Sequence, residues 1–322
     1  MMKRIALLVA GLLALSPTPG KAQSWPSRPI QIIVSSGAGG AADIMARLVG
    51  EQLSAALGQP VVVENRPGAG GNTGAIAVAR ANPDGYTLLM SGSPTHSVAP
   101  HLFKNLPYEP MRDAPPVAMI AVAPNLLVVN PSLPVKSVAD LVKLAREKPG
   151  TITYSSAGIG TSGYLAAELL KNTAKLDMTH VPYKSGPEAV TGVLTGAISF
   201  LFFTLPSVLP QVEAGHLRAL AIASAQRSAL VPNVPTISEA GYPGFDVIAW
   251  YALFAPKGTP EPVIARLNTE IEKIVARPDI RAQMAKLGAE PKYLPPKGVV
   301  DFVAQESPKF EILLKDIKNA AN

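Results

Sequence analysis

The feature that most constrains this chain is an arrangement that occurs twice: a short β-branched run, a loop of very small residues, then an amphipathic helix. In the first copy Ile30 to Val34 reads as a strand and Gly37-Ala38-Gly39-Gly40 as a turn. Asp43 to Leu57 follows as a helix with Ile44, Leu48, Leu53 and Leu57 on one face. Val61 to Glu64, the loop Gly68-Ala69-Gly70-Gly71-Asn72, a helix from Thr73 to Ala81 and a strand from Tyr86 to Met90 complete a β-α-β-α-β unit. The second copy starts near Asn125 with a strand over Leu126 to Val129. A helix capped by Ser137 runs from Val138 to Glu147, Thr151 to Tyr154 is the next strand, and the turn Ser155 to Ser162 opens a helix reaching about Thr173. A helix over Glu188 to Leu194 and strands over Ile198 to Phe203, Leu217 to Ala223 and Trp250 to Ala255 follow. Helices then occupy Pro260 to Ala276, Pro278 to Leu287 and about Val299 to Lys318.

Short strands alternating with longer helices require parallel sheets covered by helices, an α/β fold. Two such units with a helical tail predict two lobes between which the chain crosses twice, near Ala123 and near Trp250. Residues 25–124 plus 251–322 then form one lobe and 125–250 the other. In open α/β sheets ligands sit outside the carboxyl ends of the strands, and here those ends face each other across a cleft.

The amino terminus sets the compartment. Lys3 and Arg4 precede the apolar run Ile5 to Leu15, and Ser16-Pro17-Thr18-Pro19-Gly20 breaks any helix before the small pair Gly20 and Ala22. This is the pattern of a secretory signal peptide over residues 1–22, cut after Ala22, and it places the mature chain in the periplasm. The run is shorter than the roughly 17–25 residues a membrane span needs. Cysteine is absent, which excludes disulfides, thiolate nucleophiles and thiolate metal sites. The formal charge of +6 falls to +3 once Lys3, Arg4 and Lys21 leave with the leader. The remaining basic residues are scattered, so the chain lacks the footprint of a nucleic-acid binder, and the mild positive balance suits an anionic ligand.

Three loops follow strands and open helices: Ser35 to Ala41, Pro67 to Asn72 and Ser155 to Ser162. Each is built of residues small enough to let a ligand approach the free N–H groups of a helix start. Motifs for chemistry are missing. No G-x-x-x-x-G-K-[ST] occurs, and Gly68-Ala69-Gly70-Gly71-Asn72-Thr73 has Thr73 where the dinucleotide fingerprint needs its third glycine. Gly160-Thr161-Ser162-Gly163-Tyr164 has Tyr where a nucleophile elbow needs Gly. The four histidines, at 96, 101, 180 and 216, form no pair at metal-ligand spacing, and only His96, just after a strand, is placed to reach the cleft. No catalytic residue, metal site or cofactor is expected.

Several stretches, in this order, resemble the Bug family, the periplasmic receptors of tripartite tricarboxylate transporters. They are Trp25-Pro26-Ser27-Arg28-Pro29-Ile30, Ala38-Gly39-Gly40 with Asp43, Val62 to Asn72, and Pro83-Asp84-Gly85-Tyr86-Thr87-Leu88-Leu89. Further on come Leu106-Pro107-Tyr108, Gly158 with Gly160-Thr161-Ser162, and His180-Val181-Pro182-Tyr183-Lys184. The resemblance implies a type II Venus-flytrap fold and a small carboxylate held by loops of both lobes, often with ordered water between. Carried onto this chain, it points to Ala38, Gly39 and Gly40 in the first lobe and Ser156, Gly158, Gly160 and Thr161 in the second. Ser93, Thr95 and His96 would line a further wall. It also implies membrane transporter subunits as partners and a monomeric receptor. A periplasmic sensor serving a signalling kinase and a periplasmic hydrolase are the alternative readings.

Departures from the family bear on specificity. Ser35-Ser36 stand near the place where Pro-Phe is usual, which puts Ser36 among the ligand-facing residues. Tyr164 stands where His is usual, and Phe203 precedes Thr204-Leu205-Pro206 where an acid often precedes Asn-Leu-Pro. In amino-acid-binding relatives that acid can hold the ligand amine. Phe203 offers a phenyl face instead, so the expected ligand has a carboxylate at one end and an apolar, even aromatic, body. The other orientation for Phe203 is into the core.

Overall fold

The computed structural model describes residues 25–320; the leader read at 1–22 lies outside the described residues. Its framework is one curled sheet whose halves are built alike. In the first half β1 (Ile30–Val34) lies between β2 (Val61–Asn65) and β3 (Thr87–Gly92), all parallel, with Ile32 opposite both Val63 and Leu88. Helices α1 (Ala41–Leu57) and α2 (Asn72–Ala79) make the crossovers. The second half repeats the scheme. α3 (Val138–Glu147) leads to β5 (Thr153–Ser156), followed by α4 (Ser162–Ala174), β6 (Thr179–Pro182), α5 (Gly186–Leu194) and β7 (Phe200–Thr204); β5 runs parallel to β6 and β7. Ser137 caps α3 by accepting the Asp140 N–H at 3.1 Å.

Two antiparallel strands join the halves. β4 (Pro116–Val129) has 14 residues, about 46 Å at the rise of a strand. Over Pro116 to Pro124 it pairs with β9 (Ile248–Phe254), and over Asn125 to Val129 with β7 and β8 (Arg218–Ile222). The sheet therefore changes partners at Pro124 and Asn125, where both joining strands run side by side. The expected all-parallel sheets are thus mixed, because a strand that returns to its own lobe beside its outgoing neighbour must run against it.

Apolar clusters cover both faces of each half. Ile32, Leu53 and Leu267 pack on one face of the first half, and Ile33, Leu89 and Trp250 on the other. In the second half the two faces carry Leu165 with Phe200 and Leu126 with Leu201. Three elements escape the sequence pattern. α6 (Leu205–Glu213) carries Pro206 in its first turn, where proline is tolerated, and Pro210 inside, where it normally interrupts a helix. β10 (Glu290–Leu294), which contains Pro291, pairs with β4, and β4 itself extends ten residues further toward the amino terminus than its β-branched run indicates.

The tail also differs from expectation. After α7 (Glu261–Ala276) and α8 (Pro278–Lys286), α9 (Pro296–Ala320) places Val299 and Val303 in the Trp250 and Phe254 cluster of the first half. Phe310, Leu313 and Leu314, beyond Pro308, sit in the Leu127 and Phe200 cluster of the second. The tail, expected wholly on the first lobe, thus straddles both. Burying these three large apolar side chains contributes about 1.5–3 kcal/mol each, which holds the end of the helix on the second half. Glu306 lies between these two sets, buried, and accepts hydrogen bonds from Ser97 Oγ at 2.6 Å and from Trp250 Nε1. Among the described residues no helix is long and apolar enough to cross a membrane.

Candidate functional site

Between the halves, at the carboxyl ends of the parallel strands, lies a cleft of about 810 Å³ including its open mouth. The first half contributes Ser35 and Ser36 after β1, Gly40 to Ala42 at the start of α1, Gly68, Gly70 and Gly71 before α2, and Ser91 to Pro94 after β3. The second contributes Thr161 to Gly163 at the start of α4, Lys184 to Gly186 at the start of α5, and Phe203 with Thr204 at the end of β7. The joining strands add Asn125 and Ala249 to Tyr251.

Five helix amino termini reach this cleft without a side-chain cap: those of α2 at Gly71 and α6 at Thr204, and three more. Gly40 (φ −74°, ψ 162°) begins α1, Thr161 (φ −70°, ψ 153°) begins α4, and Ser185 begins α5. The first N–H groups of each helix have no partner within it, and the aligned peptide dipoles put partial positive charge at that end. Thr161 could cap its own helix, yet its hydroxyl donates backward to Gly158 O at 2.8 Å. Among the lining residues Lys184 is the one charged side chain and no carboxylate is present. The cleft is therefore electropositive through its backbone, a setting for an anion.

The buried Asp43 and the half-buried Asn65 fix the shape of the first loop. Asp43 accepts the Gly39 N–H at 2.8 Å and Asn65 Nδ2 at 3.0 Å, and Asn65 Nδ2 also donates to Ser36 O at 3.1 Å. Burial works against the Asp43 charge, but hydrogen bonds from Arg47, Gly39 and Asn65 outweigh it and hold the carboxyl below its ordinary range. The second loop is tied through Ser162 Oγ, which donates to Asn125 Oδ1 at 3.1 Å, while Asn125 Nδ2 donates to Val247 O at 2.9 Å.

Two hydroxyls stand out because they have no partner among the described residues. Ser36 Oγ and Ser93 Oγ are buried in the lobe-1 wall and make no hydrogen bond there. A buried unpaired hydroxyl costs about 1–3 kcal/mol, so native proteins rarely keep one without a use. The second half adds one large apolar side chain to the cleft, Phe203. The half-buried Phe203 ring lies on Gly186, where a Cβ would come within 2.3 Å of its Cζ. Phe203 both borders the Leu126 and Leu201 cluster and lines the cleft.

The residues picked out from sequence fall into two sets. Ser36, Gly40, Ser93, Thr161 and Phe203 line the cleft. The others support it from outside or from behind. Ala38 and Gly39 are exposed at the rim, Gly158 faces an outer groove with Gly70, and Gly160 is backed by Leu102. Ser156 is buried against His180 Nε2 at 2.8 Å, and Tyr164 packs on the His180 ring at 4.9 Å in the second-half core. His96, expected at the cleft, lies behind its wall, stacked on Phe254 at 3.7 Å, with Thr95 Oγ1 2.8 Å from its Nδ1. Burial pushes its pKa down to about 3, so it is neutral and offers no charge to a carboxylate. The reason is local: residues Pro94–Val98 form a π-helical turn that rotates His96 away from the cleft.

Sequence reasoning missed Lys184, Ser185 and Gly186. The signal was present, since Ser185 followed by Gly186 and Pro187 is a helix start of the usual kind, but the helix was read as beginning two residues later. Asn125 was also missed, because its place comes from a contact between a crossing strand and the start of α4, where it accepts from Ser162 Oγ.

Comparison with known proteins agrees with this geometry. Residues 45–318 match the family described as tripartite tricarboxylate transporter family receptor, TctC. Protein BugT of Bordetella pertussis is 38% identical over 303 residues, 94% of this chain and 92% of that protein. Among solved structures, R. palustris Rpa4515 with adipate is 35% identical with a TM-score of 0.89, over 91% of this chain and 98% of that one. MatC (Rpa3494) from Rhodopseudomonas palustris with bound malate is 34% identical with a TM-score of 0.85, over 90% and 99%. The periplasmic binding protein BugD is 32% identical with a TM-score of 0.87, over 91% and 99%. With its two-lobed α/β fold and backbone-lined cleft, this chain belongs to the Bug family of tripartite tricarboxylate transporter receptors.

Proposed function

We propose that this chain is a periplasmic receptor that captures one small carboxylate between its lobes and hands it, unchanged, to the membrane subunits of a tripartite transporter. The observation that carries this reading is the convergence of uncapped helix starts, from both halves, on a cleft with no acidic side chain among its lining residues. A carboxylate placed there accepts N–H groups from both lobes, so it favours the closed arrangement by its differential affinity. Residues 25–124 with 251–322, and 125–250, serve as the two lobes, with the last turns of α9 lying on the second. β4 and β9 form the hinge where they run side by side. The leader is cut after Ala22, and the mature receptor acts as a monomer.

The ligand carries an apolar body. Phe203 supplies an aromatic face, worth about 0.5–1.5 kcal/mol against an aromatic ring. An α-ammonium would meet no acidic acceptor among the lining residues, and leaving such a charge unpaired costs several kcal/mol. Calorimetry of the stripped protein against benzoate, adipate, malate, aspartate and glutamate tests this. Binding of benzoate or adipate in preference to both amino acids is expected. Tight binding of aspartate or glutamate with no response to the others would show that Phe203 does not face the ligand.

A further inference from the structure

The lobe rims meet where side chains are missing. A Cβ on Gly37, in the loop before α1, would lie 2.9 Å from Ser185 Cβ at the start of α5. A Cβ on Gly70, in the loop before α2, would lie 2.9 Å from Ile159 O in the loop before α4. Gly39 and Gly158 add looser approaches, to Pro187 Cγ at 3.8 Å and to the Gly70 N at 3.9 Å. Every one of these contacts joins a first-half loop to a second-half loop or, at Pro187, to the first turn of α5, and they lie beside the helix starts that form the cleft.

We infer that Gly37 and Gly70 are the positioning residues of lobe closure, leaving the rims bare so that the helix starts of the two lobes come within reach of one carboxylate. The inference rests on the receptor reading, but its consequence is separate: a methyl group at the rim props the clamp open without touching the fold of either lobe. Gly37 is the clean probe, because its φ lies outside the left-handed region and alanine fits its backbone. Gly70, at φ +64°, would add backbone strain to the steric effect. The contact is also specific to one partner atom, so removing the Ser185 side chain should relieve it. Ser185 makes no capping hydrogen bond, so glycine there costs the helix little.

Two experiments decide it. In the first, Gly37→Ala, Ser185→Gly and the double variant are titrated with the tightest carboxylate among benzoate, adipate and malate, and their melting temperatures are compared. Gly37→Ala is expected to weaken binding by about tenfold or more, the usual scale of an unrelieved overlap, with an unchanged melting temperature. The double variant is expected to recover most of that loss, which a direct clash between the added methyl group and the ligand would not allow. In the second, Gly37→Cys with Ser185→Cys is oxidised in a chain that otherwise has no cysteine. At 2.9 Å the two Cβ positions are closer than the separation of about 3.5–4.5 Å in a disulfide, so a slight opening lets the bond form, and an intramolecular cross-link is expected. Wild-type affinity in Gly37→Ala, failure of Ser185→Gly to restore it, or a cysteine pair that stays reduced would each overturn the inference. Should none of the carboxylates bind the wild type, the receptor reading fails, and the cross-link alone still decides whether these rims meet.

Discussion

Ser93→Ala separates a hydroxyl kept for a ligand from one kept for the fold. Ser93 is 1% exposed, its Oγ has no partner among the described residues, and it lines the cleft at the start of the π-helical turn. Its backbone (φ −48°, ψ −43°) suits alanine equally well. In the free protein the unpaired hydroxyl costs about 1–3 kcal/mol, so its removal leaves the melting temperature unchanged or slightly higher. On the proposed reading the hydroxyl donates to a ligand oxygen in the complex, and a hydrogen bond to a charged group is worth about 1.5–3 kcal/mol. The dissociation constant should therefore rise about tenfold to a hundredfold. Ser97→Ala is the control. Ser97 Oγ donates to the buried Glu306 at 2.6 Å, so its loss should lower stability by about 1–3 kcal/mol. Calorimetric titration and thermal unfolding of both variants give the answer. A Ser93→Ala protein that melts several degrees lower and binds with wild-type affinity would refute the assignment.

Two further outcomes follow from buried contacts. Burial pushes Glu306 up to about 7, with hydrogen bonds from Ser97 and Trp250 and the nearby Lys309 opposing it and Asp246 adding to it. A folded-state pKa above the ordinary 4.5 means that stability is greatest below about pH 4.5 and declines as pH rises through about 7. Glu306→Gln should flatten that decline, and melting curves between pH 5 and 8 with identical slopes for both proteins would contradict it. Gly186→Ala places a Cβ 2.3 Å from the Phe203 ring and must swing it, so affinity for apolar-bodied carboxylates should fall while Gly186→Ala with Phe203→Ala loses no more than Phe203→Ala alone. Competition binding with the three variants checks this.

The elements most legible in the sequence are those with strong periodicity and good punctuation. β1 and α3 occur over the residues read for them, since a β-branched run and a Ser137 cap are local signals that tertiary contacts did not override. The two-fold repetition of strand, small loop and helix was legible for the same reason, and with it the position of the cleft. What was not legible depends on distant partners. α6 forms despite Pro210 because Leu205, Val208 and Leu209 are buried against the second-half core. β10 is a strand only because β4 lies beside it. At the site, the loops were visible as small-residue runs, but which atoms face inward was not. A π-helical turn carries His96 behind the wall, and the packing of Tyr164 on His180 takes it into the core. Lys184 escaped notice because its significance comes from its place at the mouth, beside the start of α5.

The central claim is that backbone N–H groups of opposed helix starts recognise a negative charge. The most direct measurement is calorimetric titration of the ligand-stripped protein with matched pairs that differ only in that charge: adipate against adipamide, and benzoate against benzamide. The account predicts one-to-one binding of at least one carboxylate. Its uncharged amide should bind at least about a hundredfold more weakly, since hydrogen bonds to a charged acceptor contribute about 1.5–3 kcal/mol each. Equal binding of acid and amide, or binding of neither member of any pair, would contradict it.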